Sequence, residues 1–332
     1  MRRVVVDRSG VSIAEAAVPE PGAGEVLVRM AMAGVCGSDV HALQGKHPFI
    51  TLPYPPGHEV SGTVEAVGTG VPLPVGARVT MEPFLPCWAC KQCRAGRQNI
   101  CENLRFFGCA HDQGGMADYF TVDQRRLHVI PDELDWLRAA FIEPLGTPVH
   151  AARLVGGLAG KTVAILGAGT IGLLTLQVAR AQQAARVVMT ARSQRSRDRA
   201  AGFEPDAVID AAETGAVREA LGESADVVFD CVAEQATMDQ ALTLANKGGT
   251  VVVVGVPPAP VRIPLPMVQD SQLRIQGSAT YLPEDFADAI DLLVSNRADV
   301  TGMATAVRPL DEAAAAFADA ASGAHIKVLL RG

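Results

Sequence analysis

No apolar run in this 332-residue sequence is long enough to cross a membrane. The longest stretches, Val163–Leu174 and Val251–Val256, fall short of the roughly 18 uninterrupted residues a spanning helix requires, and glycines 167, 169 and 172 interrupt the first. The short apolar run Val4–Val6 after Arg2 and Arg3 ends at Asp7, so no secretory core follows and the chain reads as cytoplasmic. Positive charge is in deficit, with 29 Lys and Arg against 36 Asp and Glu, a formal charge of −7. That field repels phosphate backbones and argues against nucleic acid as the main partner. The seven cysteines are too few and too unevenly spread for a secreted disulfide framework. Four of them fall between Cys87 and Cys101, a clustering that points to metal in a cytosolic chain.

What is present describes a globular protein. Apolar residues make up 48% and charged residues 20%, enough to bury cores and to exclude a disordered chain. At roughly 150 residues per domain the length suggests two domains. There is no internal repeat and no low-complexity tail.

The first 145 or so residues carry short strand patterns separated by Gly and Pro. Val26, Val28, Met30 and Met32 alternate with Leu27, Arg29 and Ala31, and Val60–Val67 and Ala77–Met81 read similarly. From Lys161 the pattern changes to strand–helix alternation. Thr162–Leu166 reads as a strand and Ile171–Gln182 as a helix; Val187–Met189, Ala207–Ile209, Val227–Phe229 and Thr250–Val254 are further strands. Such alternation predicts a parallel sheet covered on both faces, placed at 148–279. The remainder, with a helix after Pro283 and a strand near Ile326–Leu330, is too short to fold alone and is expected to return to the first domain.

Gly167, Gly169 and Gly172 fit G-x-G-x-x-G, with Thr170 and Ile171 inside the motif. Alone the string is only a Gly-rich turn. Between a predicted strand and a predicted helix it fits a dinucleotide site, with the pyrophosphate at the helix N-terminus. About 20 residues on, an acid would bind the ribose 2′-hydroxyl; Ala191 stands there instead. Arg192, Ser193, Arg195 and Arg197 follow, suited to a 2′-phosphate, although a solvated basic helix face would look the same. The missing acid and the added arginines favour NADP over NAD.

Cys87, Cys90, Cys93 and Cys101 can close a tetrahedron around zinc with no open position, a structural site in a lobe at about 86–102. Free or redox-active thiols are the alternative, which the tight clustering disfavours. Cys36, His58, Glu59 and Glu143 supply a thiolate, an imidazole and carboxylates. Singly each reads as a structural residue. Together they could form a mixed site, whose exchangeable carboxylates suit catalysis better than structure.

In this order, the Cys36 segment, Gly57-His58-Glu59, the four-cysteine lobe, Glu143-Pro144-Leu145 and the Gly167–Gly172 turn resemble the zinc-dependent medium-chain dehydrogenase/reductase family, over nearly the whole chain. Within it the chain is most similar to the polyol and sorbitol dehydrogenases, with threonine and butanediol dehydrogenases nearby. Those branches carry Glu where other alcohol dehydrogenases carry a third catalytic cysteine, and Glu143 fits them. The resemblance implies an α/β fold: a GroES-like, mostly-β catalytic domain (1–147 and 280–332) with an inserted Rossmann domain, a doubly wound parallel sheet (148–279). It implies two zinc ions per chain, one catalytic at Cys36 and His58 with Glu59 and Glu143 sharing the remaining positions, and a homodimer or homotetramer. It also implies a mechanism. Zinc acidifies a substrate hydroxyl, Ser38 takes the proton and passes it through the ribose to His41, and hydride leaves the carbinol carbon for the nicotinamide. Without the resemblance, Ser38 and His41 read as turn and surface residues. One departure concerns substrate: sorbitol dehydrogenases usually carry Arg before the residue matching Tyr281, and here Thr280 precedes it. That makes sorbitol doubtful and leaves a smaller diol, a cyclitol or an amino alcohol open. The expectation is a secondary-alcohol dehydrogenase interconverting alcohol and ketone. A threonine-type amino-alcohol dehydrogenase and a non-catalytic cofactor-binding protein of the same fold are the alternatives.

Overall fold

The structure, a computed structural model, describes residues 1–109 and 111–332 and divides the chain into two units. The first comprises Met1–Glu143, Leu282–Val294 and Val300–Gly332; the second comprises Pro144–Tyr281 and Ser295–Asp299. Set beside the sequence expectation, the division falls at 143/144 and 281/282, and 295–299 go with the second unit.

The first unit is built on a sheet whose central strand is Glu25–Val35. This strand pairs antiparallel with Glu59–Val67 on one edge, while on its other edge Tyr119–Asp123 pairs with its first half and Lys327–Arg331 with its last. The expected alternation of Val26, Val28, Met30 and Met32 with Leu27, Arg29 and Ala31 holds only in part. Arg29 is exposed, but Leu27 is buried with Val26 and Val28, Met32 is only half-buried, and register shifts at Leu27/Val28 and Met30/Met32 interrupt the period of two. The C-terminal segment returns to this unit: Leu310, Ala313, Phe317, Val328 and Leu330 share one core with Val4, Val28, Met30, Val60, Met81 and Phe120. That apolar contribution is why a tail too short to fold alone is ordered.

The second unit carries a six-stranded parallel sheet. Its spatial order is Ala207–Asp210, Arg186–Ala191, Thr162–Leu166, Ala225–Asp230, Ala245–Val253 and Arg274–Gly277. This is the doubly wound order that places ligands at the carboxyl ends of the strands, where the order reverses. The Thr162–Leu166 strand is buried at every position, as a central parallel strand should be. No described helix is long and apolar enough to cross a membrane.

Candidate metal centres and dinucleotide turn

The Glu25–Val35 strand ends at Cys36, whose extended backbone (φ −92°, ψ 157°) caps the Gly37–Leu43 helix. The Cys36 N–H donates to the Asp39 carboxylate at 3.0 Å, and Tyr54 Oη donates to its other oxygen at 3.0 Å. Asp39 is wholly buried; desolvation raises its pKa against the lowering effect of His58, Cys36 and Tyr54. These bonds fix the thiol at the end of the strand. Directly across the ladder, Gly34 pairs with Glu59, and His58 precedes it. The strand pairing therefore brings Cys36, His58 and Glu59 together, with ligand atoms all within 4.8 Å of one another. One thiolate, one imidazole and one carboxylate fit a zinc ion that keeps a position open for substrate.

Glu143 lies outside that group of three. It is buried in the first turn of the Ile142–Leu154 helix, close enough to Lys327 to help hold that ammonium charged. Lys327 forms a buried ion pair with Glu59, the side chains being 3% and 2% exposed. Burial depresses the Lys327 pKa, but Glu59, Cys36 and Glu143 outweigh it and the net shift is upward. A methyl group at Gly34 would overlap the Glu59 carboxylate and the Lys327 stem, so glycine there makes room for the pair. Glu59 thus has a cation of its own to hold it when it does not face the metal.

Ser38 Oγ is buried and has no hydrogen-bond partner among the described residues, whereas His41 is exposed. A buried hydroxyl without a partner is costly unless something else completes it. Asp39, Tyr54, Lys327 and Cys109 were not foreseen from the sequence. They come from a helix turn, a loop, the closing strand and an isolated cysteine, and only the folding of distant segments gathers them.

The four-cysteine lobe is likewise suited to zinc. Backbone N–H groups of Cys87, Cys90, Cys93 and Asn103 donate to the sulfurs of Cys101, Cys87, Cys90 and Cys101 at 3.3–3.5 Å. Such bonds favour thiolates; backbone N–H groups of Ala89 and Cys90 hold the Cys87 thiol down to about 6. All four sulfurs lie within 4.8 Å of one another.

In the second unit, Gly167 follows the Thr162–Leu166 strand at φ +102°, a left-handed conformation that favours glycine. Gly172 has no room for a side chain because the Gly167 carbonyl occupies that space. Gly169 caps the Thr170–Ala181 helix and faces open space, leaving the backbone free for close approach of a phosphate. Thr170 and Ile171 form its first turn. Ala191 is 5% exposed at the end of its strand. The Arg192 side chain is exposed and makes no bond to described residues; Ser193 caps the Gln194–Ala201 helix. Arg197 is engaged internally, with Asp210 at 2.6 Å, the Ala191 and Arg192 carbonyls and Gln194.

Known proteins resemble this chain over nearly its whole length. A family model described as alcohol dehydrogenase GroES-like domain matches residues 22–132, and one described as zinc-binding dehydrogenase matches 170–295. "Probable D-xylulose reductase A" of Aspergillus clavatus is 33% identical, covering 93% of this chain and 89% of its own. A sorbitol dehydrogenase of Gallus gallus is 33% identical over 99% of this chain and 95% of its own. Among solved structures, a zinc-binding dehydrogenase of Sinorhizobium meliloti bound to NADP superimposes with a TM-score of 0.92 at 35% identity, covering 100% of this chain and 99% of its own.

Proposed function

The chain belongs to the zinc-binding medium-chain dehydrogenases and is an NAD(P)-dependent alcohol dehydrogenase acting on a small molecule, and from that premise we propose that it oxidises a polyol, diol or cyclitol to the ketone with NADP. The observation that carries this reading is the convergence of Cys36, His58 and Glu59 beside a buried, unpartnered Ser38 hydroxyl.

Cys36, His58 and Glu59 would hold the catalytic zinc, with Glu143 available as a further carboxylate, and Cys87, Cys90, Cys93 and Cys101 a second, structural zinc. Zinc in the first site supplies Lewis acidity that lowers the pKa of a substrate hydroxyl. The chain's own groups do the rest. Ser38 would accept the hydroxyl proton at Oγ as it releases its own Oγ–H proton, through the ribose of the bound cofactor, to His41 at the solvent side. Cys36 with one carboxylate balances a divalent charge. Lys327, by holding Glu59, limits the further negative charge that would weaken the Lewis acid. In the second unit the Gly167–Gly172 turn would hold the pyrophosphate of the dinucleotide, which would supply the hydride acceptor.

Three observations support NADP: the absence of an acid at Ala191, the free Arg192 guanidinium, and NADP in the S. meliloti relative. Arg192 and Ser193 would contact the 2′-phosphate while Arg197, tied to Asp210, braces the turn. The names of the relatives support a polyol-type substrate; Thr280 before Tyr281, in place of a guanidinium, supports one smaller or less dependent on hydroxyl recognition than sorbitol. The homodimer or homotetramer that the resemblance implies is checked by light scattering.

The test is nicotinamide reduction with NADP⁺ and with NAD⁺ across diols, polyols, cyclitols and amino alcohols, repeated on Ala191→Asp/Arg192→Leu. Ketone formation with NADP⁺ preferred, and a kcat/KM ratio that moves toward NAD⁺ in the double variant, is the expected result. An unmoved ratio refutes the role of Arg192, and turnover confined to amino alcohols favours the threonine-type reaction.

A further inference from the structure

We infer that Cys109 is a positioning residue for the catalytic metal: its thiol sulfur accepts the Nδ1–H of His58 and so commits Nε2 to the zinc. This rests on the metal site proposed above.

The first observation is the contact itself. Cys109 Sγ lies 3.5 Å from His58 Nδ1, both residues being buried. A histidine that ligates zinc through one ring nitrogen must carry its proton on the other, and a partner for that N–H fixes both tautomer and ring orientation. Carboxylates and carbonyls are the usual partners. The buried Asp39 carboxylate already accepts from Tyr54 and from the Cys36 N–H, and Glu59 is held by Lys327. The sulfur takes the place of such a partner.

The second observation is the backbone around it. The Gly57-His58 segment is clamped by Gly108, Gly115 and Met116. Gly115 N–H donates to the Gly57 carbonyl at 2.8 Å, and Met116 N–H donates to that of Pro56 at 3.1 Å. On the other side Gly108, at φ +72°, approaches so closely that a Cβ would lie 2.5–2.7 Å from Gly57 and His58 backbone atoms. Phe106 meets the imidazole edge-on, with ring centroids 5.8 Å apart. The loop that carries Cys109 is therefore held rigidly against the residue it contacts. A carboxylate in place of the thiol would make His58 a stronger donor and the zinc a weaker Lewis acid.

The experiment uses the zinc-loaded full chain and its Cys109→Ala and Cys109→Ser variants. NADPH binding and circular dichroism establish that each is folded. Zinc release to an excess of chelator is timed, and the cobalt-substituted proteins are compared in the thiolate-to-metal absorption region. The expected result is release accelerated about 10–100-fold in Cys109→Ala and largely restored in Cys109→Ser, whose hydroxyl still accepts the N–H. The cobalt–thiolate band should be the same in wild type and Cys109→Ser. Unchanged release in Cys109→Ala would reduce the contact to packing and overturn the inference. A band weakened by one thiolate in Cys109→Ser would make Cys109 a ligand, which overturns it too. Failure of the underlying metal reading looks different: wild type would then hold the same zinc content as Cys36→Ser.

Discussion

Replacing Lys327 by Met tests the buried pair that restrains Glu59. Both side chains are almost fully excluded from solvent, at 3% and 2% exposure. Removing the ammonium leaves a carboxylate buried without its cation, and breaking a buried pair in this way costs about 3–5 kcal/mol. At roughly 2–4 °C per kcal/mol for a unit of this size, the melting transition of the first unit should fall by about 6–20 °C. Glu59→Gln strands the ammonium instead and should cost a similar amount. The double variant Glu59→Gln/Lys327→Met has no uncompensated charge, so its loss should be smaller than the sum of the singles by at least about 2 kcal/mol. Thermal unfolding followed by circular dichroism on zinc-loaded protein measures all three. Additive losses, or a Lys327→Met transition within about 2 °C of wild type, would refute the claim that the pair is a coupled buried unit. The same substitution frees Glu59 to face the metal, so zinc release should also slow.

Gly108→Ala should lower stability by about 3 kcal/mol or more, since left-handed strain and the overlap with Gly57 act together, and it should reduce zinc content; a urea midpoint within 1 kcal/mol of wild type contradicts this. Cys93→Ser should leave one zinc per chain and open the 87–101 lobe to trypsin at Lys91, Arg94 or Arg97, read by metal analysis and mass spectrometry. Asp118 bears on acid stability. Partial burial raises its pKa, but hydrogen bonds from the Arg2 side chain and backbone outweigh that and hold the carboxyl below its usual range. A depressed folded-state pKa adds stability above the unfolded value, near 3.9, that is lost as pH falls through the folded one. Asp118→Asn should therefore cost about 0.5–1 kcal/mol at pH 7, and its urea midpoint should converge on wild type below about pH 4. A gap that stays constant with pH removes the carboxylate's charge from the explanation.

The sequence by itself determined the features whose cause is local. Gly167, Gly169 and Gly172 between an apolar strand and an amphipathic helix already mark a tight turn in the sequence, because backbone conformation at Gly167 and close approach at Gly172 favour glycine there. Four cysteines within fifteen positions already make a candidate metal site in the sequence, because so short a segment can bring their sulfurs together. The strand–helix alternation after Lys161 gave the parallel sheet for the same reason: buried strands must be apolar throughout. Strand Glu25–Val35 was read less fully, since two register shifts and the burial of Leu27, Ala33 and Val35 on the face that also carries exposed Arg29 blur the alternation that marks a half-exposed strand. The tertiary structure alone decided which distant residues surround His58 and Glu59. Lys327 reaches Glu59 only because the last strand pairs beside Glu25–Val35, and Cys109 reaches His58 only because glycines let two loops touch. It also committed Arg197 to Asp210, while the exposed Arg192 side chain makes no bond to the described residues. None of these partners has a spacing that could mark it, because each is defined by proximity across a sheet or between loops.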